Sequence, residues 1–231
     1  MSDNEPRVTR IAMLLYPQFT TLDLIGPHQV LTCLPNTQVD LFAKSSEAVT
    51  ADSGVCLLPD KSFDQAGEDY DVLFVPGAVS THLIVEDGET LSFLAAVGGN
   101  ARYVTSVCTG SLVLAAAGLL AGYRASSHWA FRNLLTGYGA IPESGRIVVD
   151  RNRITSGGVT AGLDFGLHLA ALLAGEDTAK MVELLLEYDP DPPFNVGHPS
   201  RADAKTLLSA TERLAPLVKL MRVASERGFR H

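Results

Sequence analysis

Cysteine is scarce in this chain: 231 residues hold three, Cys33, Cys56 and Cys108. They are widely spaced and odd in number, with no CxxC pair and no Cys/His cluster at metal-ligand spacing, so no metal site is expected. A disulfide framework is excluded too, because such frameworks serve small oxidised domains that have little core of their own. Long apolar runs are missing as well: each stops short of the roughly 20 residues that span a bilayer. The opening segment MSDNEPRVTR has neither the basic flank nor the apolar run of a signal peptide. A cytoplasmic protein with no membrane partner is the expectation. Positive charge is thin: 18 Lys and Arg face 26 Asp and Glu, for a net charge of −8 and a pI near 5.2. Phosphate backbones are bound by clustered Lys and Arg. The basic residues of the C-terminal ERLAPLVKLMRVASERGFR are instead spaced as on a solvated helix face, so no nucleic-acid partner is expected.

What is present is an ordinary globular composition, 46% hydrophobic and 19% charged, long enough for one large α/β domain over residues 1–231. Short β-branched runs alternate with longer helical ones. RIAMLLY (10–16), QVDLFA (38–43), DVLFVPG (71–77) and RYVTSV (102–107) read as strands. Helices are expected at 22–34, with Thr20 or Thr21 as N-cap, through 90–99, and at 109–122, closed by Gly118 or Gly122. Two more are expected at 159–175, apolar nearly all round and hence buried, and at 177–188. RIVVD and RITSGG pair as a hairpin turning at Asp150 to Asn152. Strands separated by helices imply a mainly parallel sheet with helices on both faces. A Pro-rich loop at about 188–200 leads into a last amphipathic helix at about 202–222. That helix must pack on the main body or on a partner subunit, and a terminal helix of this kind suits a homodimer.

Ser106-Val107-Cys108-Thr109-Gly110 places a nucleophilic side chain between small residues, at the junction of a strand and a helix. A sharp strand-to-helix turn brings its two backbone arms close together, which demands small flanking residues and pushes the central side chain out above the sheet edge. At a helix start, free N–H groups and the macrodipole favour a thiolate, so a depressed thiol pKa is expected for Cys108. Cys33 and Cys56 carry no such context and read as packed structural thiols.

VTSVCTGSLVLAAAGLLAGYRASSHW, with LDLIGPHQVL near the N-terminus and PPFNVGHP near the C-terminus, resembles the DJ-1/PfpI superfamily from about Ile11 to about Pro199. The resemblance implies a flavodoxin-like three-layer α/β sandwich with a C-terminal helical extension. It implies that Asp23, in TTLDLIGP, is a carboxylate facing Cys108 and acting as its acid/base partner. An aspartate here, with Thr109 rather than histidine after the cysteine, matches the isocyanide-hydrating branch and removes the histidine-dependent chemistries. That branch adds water to an isocyanide to give a formamide, in a hydro-lyase reaction needing no metal and no organic cofactor. Gly77, in VPGA, maps onto an oxyanion-binding loop, with Ala78 where relatives often have a second glycine. Gly157, Gly158 and Val159 border the pocket by resemblance, and His128, in SSHW, either lines it or packs with Trp129. The resemblance also implies that Asp23 and Thr109 position the water. His168, in the apolar FGLHLAALL, reads as a satisfied core group. Two other readings remain: a glyoxalase, deglycase or redox stress protein, and a ligand-sensing domain like those of AraC-type regulators. The latter carry paired helix-turn-helix units, for which the single helix after the Pro-rich loop leaves no room.

Overall fold

The computed structural model describes residues 7–67 and 69–228. The first six residues and His231 lie outside them. The first strand shows how the sequence makes a sheet buried on both faces. In β1 (Thr9–Leu14), Ala12 and Leu14 enter one hydrophobic cluster while Ile11 and Met13 enter the other. Side chains alternate across a strand, so a continuous apolar run can serve two layers.

The elements that follow are α1 (Thr21–Leu31), β2 (Thr37–Ala43), the short pair β3 (Val49–Thr50) and β4 (Cys56–Leu57), and β5 (Lys61–Ser62). Then come β6 (Val72–Val75), α2 (Thr81–Ile84), α3 (Gly88–Asn100), β7 (Tyr103–Ser106) and α4 (Gly110–Ala116). β8 (Arg124–Ala125) pairs with β9 (Ile141–Pro142), with a 3-10 stretch at Arg132–Tyr138 between them. The hairpin β10 (Ile147–Asp150) and β11 (Arg153–Ser156) precedes α5 (Ala161–Ala174), α6 (Glu176–Leu185) and α7 (Ala204–Gly228).

The seven-stranded sheet runs β10-β11-β7-β6-β1-β2-β5 and is parallel except at the β10–β11 hairpin. Its five inner strands, β2-β1-β6-β7-β11, follow the flavodoxin-like order. One face is covered by residues of α1, α5 and α6, the other by α3, α4, the 3-10 stretch and α7. The chain moves one way from β1 to β2 and the other way to β6, so the carboxyl ends of β1 and β6 flank a switch point, where such sheets put ligands.

The strands and the hairpin turn at Arg151 and Asn152 fall where expected, but several helix ends do not. α1 stops at Leu31, short of the expected Leu34, because Leu34 precedes Pro35 and a residue before proline is pushed out of helical geometry. α4 ends at Ala116, and Gly118 takes a left-handed φ of 77° just beyond it, so 119–122 is not helical. α7 starts at Ala204, where Asp203 Oδ1 accepts from the Thr206 N–H at 2.9 Å. Cys56 is exposed and Cys33 only half-buried, which corrects the expectation of packed thiols. His168 is half-buried on α5.

Candidate active site

Four segments meet at the carboxyl edge beside the switch point: the first turn of α1, the loop after β6, the turn after β7, and residues 157–160 after β11. The turn after β7 is the elbow read from the sequence. Cys108 has φ 56°, a left-handed conformation that strains any residue with a Cβ. The strain is held by hydrogen bonds on both sides. The Cys108 N–H donates to Gly157 O at 3.1 Å, and its carbonyl accepts from Ser127 Oγ at 3.0 Å and Ser111 Oγ at 3.2 Å. Gly110 is required by the close approach of β6: a Cβ there would lie 2.2 Å from the Val75 carbonyl oxygen. Ser106 is fully buried with no partner for its Oγ among the described residues, so size rather than polarity suits it to the place.

Asp23 sits in the first turn of α1 with no solvent exposure. Its Oδ2 accepts from the Gly77 N–H at 3.0 Å. Oδ1 is buried without a conventional partner among the described residues, and the Cys108 thiol lies against the carboxyl as a weak donor. Burial lifts the Asp23 carboxyl to about 7, against the opposing pull of the Cys108 thiol and the Gly77 N–H. Burial, with the Asp23 charge added, also pushes the Cys108 thiol well above its ordinary value. The backbone N–H groups of Val159 and Thr109 pull the other way without prevailing. The depressed thiol pKa expected from the helix start is therefore corrected: α4 has only two turns, and desolvation outweighs its dipole. The resting pair is a neutral thiol beside a carboxyl poised near neutrality.

Gly77 also has a different task from the one implied. Its N–H is committed to Asp23, and a Cβ there would fall 2.6 Å from Asp23 Oδ2 and 2.8 Å from Cys108 Cβ. It is the residue small enough to let carboxyl and thiol approach across the loop. Thr109 turns its hydroxyl away from water and into this loop. Its Oγ1 accepts from the Ala78 N–H at 3.1 Å and lies 2.7 Å from Thr81 Oγ1. Neither N–H of the Gly77-Ala78 pair is left to bind an oxyanion; the N–H groups aimed at Cys108 are those of Val159 and Thr109.

The remaining expected residues gather on the β11 side. Val159 is strained at φ 33°. His128 is packed so tightly on Gly158 that a Cβ there would lie 2.4 Å from its ring. Burial lowers His128 to about 4, and its Nδ1 accepts from the Ala130 N–H at 3.3 Å, so the ring is neutral with its proton on Nε2. Gly157, Gly158, Val159 and His128 line a cavity of about 290 Å³. Sequence reasoning missed Tyr16, which donates to the Pro76 carbonyl at 2.6 Å, and Thr81 and Ser127, which brace the loop and the elbow. Nothing in their local sequence marks them, because each acts through a contact 19 or more residues away.

A strained cysteine elbow with a buried carboxyl across a loop, on a doubly wound sheet, defines a class of α/β protein that sets a buried thiol–carboxyl pair at the sheet's carboxyl edge. The DJ-1/PfpI family signature matches residues 9–172, and the chain belongs to that family. It is 48% identical over 219 residues to the isonitrile hydratase of Pseudomonas putida, covering 95% of this chain and 96% of that protein. It is 31% identical to the HTH-type transcriptional regulator GbdR of Pseudomonas aeruginosa, spanning 78% of this chain but only half of the regulator. Among solved structures, a THiJ/PfpI family protein from Pseudomonas syringae superposes with a TM-score of 0.93 at 44% identity, covering 97% of each chain. Drosophila melanogaster DJ-1beta shares the fold, with a TM-score of 0.72 over 78% of this chain and 98% of that one. No helix among the described residues is long and apolar enough to cross a membrane.

Proposed function

We propose that this protein is a hydro-lyase that converts an isocyanide and water to an N-substituted formamide, with Cys108 as nucleophile and Asp23 as proton carrier. The observation that carries the reading is the buried Asp23 carboxyl, poised near 7 beside a neutral thiol. The similarity to an isonitrile hydratase over nearly the whole chain supports it. An isocyanide carbon accepts a nucleophile and a proton at the same atom, so one group that first takes and then returns a proton suffices. Ionised Asp23 accepts the thiol proton, and the thiolate bonds to the terminal carbon. Asp23 then protonates that carbon, leaving a thioimidate, R–N=CH–S–Cys108. Water adds to the same carbon, giving one proton to nitrogen by way of Asp23. The carbon–sulfur bond then breaks, the hydroxyl proton passes to sulfur, and R–NH–CHO leaves. The N–H groups of Val159 and Thr109 stabilise charge on sulfur in both thiolate-forming steps. Gly77 and Thr109 act by holding the loop and Asp23 in place. His128, neutral, and Gly157–Val159 shape the substrate cavity. No step calls on a metal or an organic cofactor.

The reaction is tested by following formamide from an aryl isocyanide. Wild type is expected to produce it and Cys108→Ser to produce none; turnover retained in Cys108→Ser would sink the mechanism. Methylglyoxal and a chromogenic amide in the same panel separate this reading from glyoxalase, deglycase and amidase chemistry. We further propose that the chain works as a single domain in the cytoplasm and forms a homodimer. Leu184 at 81%, Leu185 at 68% and Phe194 at 75% exposure support an apolar surface suited to a second copy. A sedimentation coefficient of a monomer at micromolar concentration would refute the dimer.

A further inference from the structure

The cavity beside the elbow carries more positive charge than addition of water to a neutral isocyanide calls for. Arg132, Arg146 and Arg201 line it together with His198, and among the described residues no Asp or Glu does. This is a local reversal in a chain of net charge −8. The Arg146 guanidinium is already matched by Asp164. Arg132, half-buried, and Arg201, exposed, make no ion pair or side-chain hydrogen bond among the described residues. The Pro-rich segment sets Arg201 in place: Arg201 and Ala202 both donate their N–H groups to His198 O, at 2.9 and 3.2 Å, and Ser200 Oγ lies 2.8 Å from His198 Nδ1. The loop thus closes into a turn on the cavity wall.

Cys108 itself does not line the cavity, but two residues in contact with the elbow do. Val159 lines the cavity and aims its N–H at the Cys108 thiol, and Ser127 lines it while its Oγ donates to the Cys108 carbonyl. A molecule in this cavity lies among the arginines and also against Val159 and Ser127, the two lining residues that contact Cys108. Unpaired guanidinium groups in a concave site match planar carboxylates, which they bind through paired N–H donors. Resting on the hydratase reading, we infer that the substrate is an isocyanide carrying a carboxylate on the end remote from the isocyano carbon, held by Arg132 and Arg201. The segment Gly197–Arg201 is then a specificity loop, which gives the irregular Pro-rich stretch a reason beyond linking α6 to α7.

The experiment compares 4-isocyanobenzoate with its methyl ester, which differ in charge but share the reacting group. In wild type the carboxylate is expected to exceed the ester in kcat/KM on the order of tenfold at low ionic strength, through KM, with the ratio compressed by added salt. In Arg132→Gln/Arg201→Gln the ratio falls toward unity, and in Arg132→Lys/Arg201→Lys part of it returns. Equal kcat/KM for the two substrates in wild type, or a loss in the double variant that falls equally on both, overturns the proposal. If neither isocyanide is hydrated, the hydratase reading fails, and the subsite is judged by calorimetry with 4-formamidobenzoate on Cys108→Ser. Binding that disappears when both arginines become Gln supports the subsite. No binding, or binding unchanged by the two substitutions, refutes it.

Discussion

A fully buried carboxyl and a buried thiol in contact resist ionising together, so Asp23 and Cys108 titrate as a pair, holding two protons below about 7 and one above it. Turnover by the proposed route begins from ionised Asp23 and protonated Cys108. The expected kcat/KM therefore rises with pH through a midpoint of about 7 and holds a plateau above it, since the thiol is raised well beyond that value. A flat profile across this range would remove Asp23 as the proton carrier. The same pKa has a consequence for stability. Between roughly 4 and 7 the folded protein binds a proton at Asp23 that the unfolded chain has released, so stability falls as pH rises through that window. The loss is complete above about 7 and is on the order of 4 kcal/mol. Asp23→Asn is thus expected to be inactive yet to melt several degrees above wild type at pH 8, with the gap closing toward pH 4. A variant that melts lower than wild type at pH 8 would contradict the burial argument. The elbow that carries Cys108 was legible in TSVCTG because such a turn dictates residue sizes locally. The placement of Asp23 against the thiol came only through resemblance, and the thiol is raised where a helix start alone implies a lowered value. A helix start is written in the sequence, whereas the desolvation that overrides it depends on α1 and β11 arriving from elsewhere.

Two short elements, the loop after β6 and the elbow after β7, behave as one piece because Thr109 stitches them together. Its hydroxyl serves the Ala78 N–H and Thr81, all of them buried. Thr109→Val keeps the shape but leaves the buried Ala78 N–H without an acceptor, a loss of about 1–3 kcal/mol. The loop that carries Gly77, and hence Asp23, then loosens. The expected result is a modest fall in melting temperature with kcat down roughly tenfold, since small misplacements of catalytic groups are costly. Thr109→Ser, which restores the hydroxyl, should recover most of both. Wild-type kcat in the Val variant would show that the loop needs no such tie. From sequence, the threonine was informative for what it displaced, a histidine. Its own partners lie 31 and 28 residues away, beyond the reach of any local pattern.

Across the whole molecule, the alternation of strands and helices was enough to read a mainly parallel sheet, and the buried strands read clearly because they are apolar on both faces. Two-residue strands such as β5, β8 and β9 were not legible, since they are too short for any period and exist only through pairing. The final helix was found, and its attachment follows from the residues it buries. Met221 is 1% exposed and Ala224 4%, both within the cluster that backs α3 and α4. Tyr138 donates to Ser225 Oγ at 3.0 Å, which fastens the helix to the 3-10 stretch. The ion pair of Arg227 with Glu86 is exposed and adds little. α7 also packs against α2, the element that carries Thr81 to the elbow loop. Met221→Ala opens a cavity in that cluster at a cost of about 2–5 kcal/mol. For a chain of this size the melting temperature should fall by roughly 5–15 °C. Met221 makes none of the hydrogen bonds that brace the loop or the pair, so kcat/KM measured well below the transition should match wild type. Thr109→Val is expected to do the reverse, losing turnover more than stability. If Met221→Ala instead lost turnover without losing stability, α7 would be acting on the site through α2 rather than closing the core.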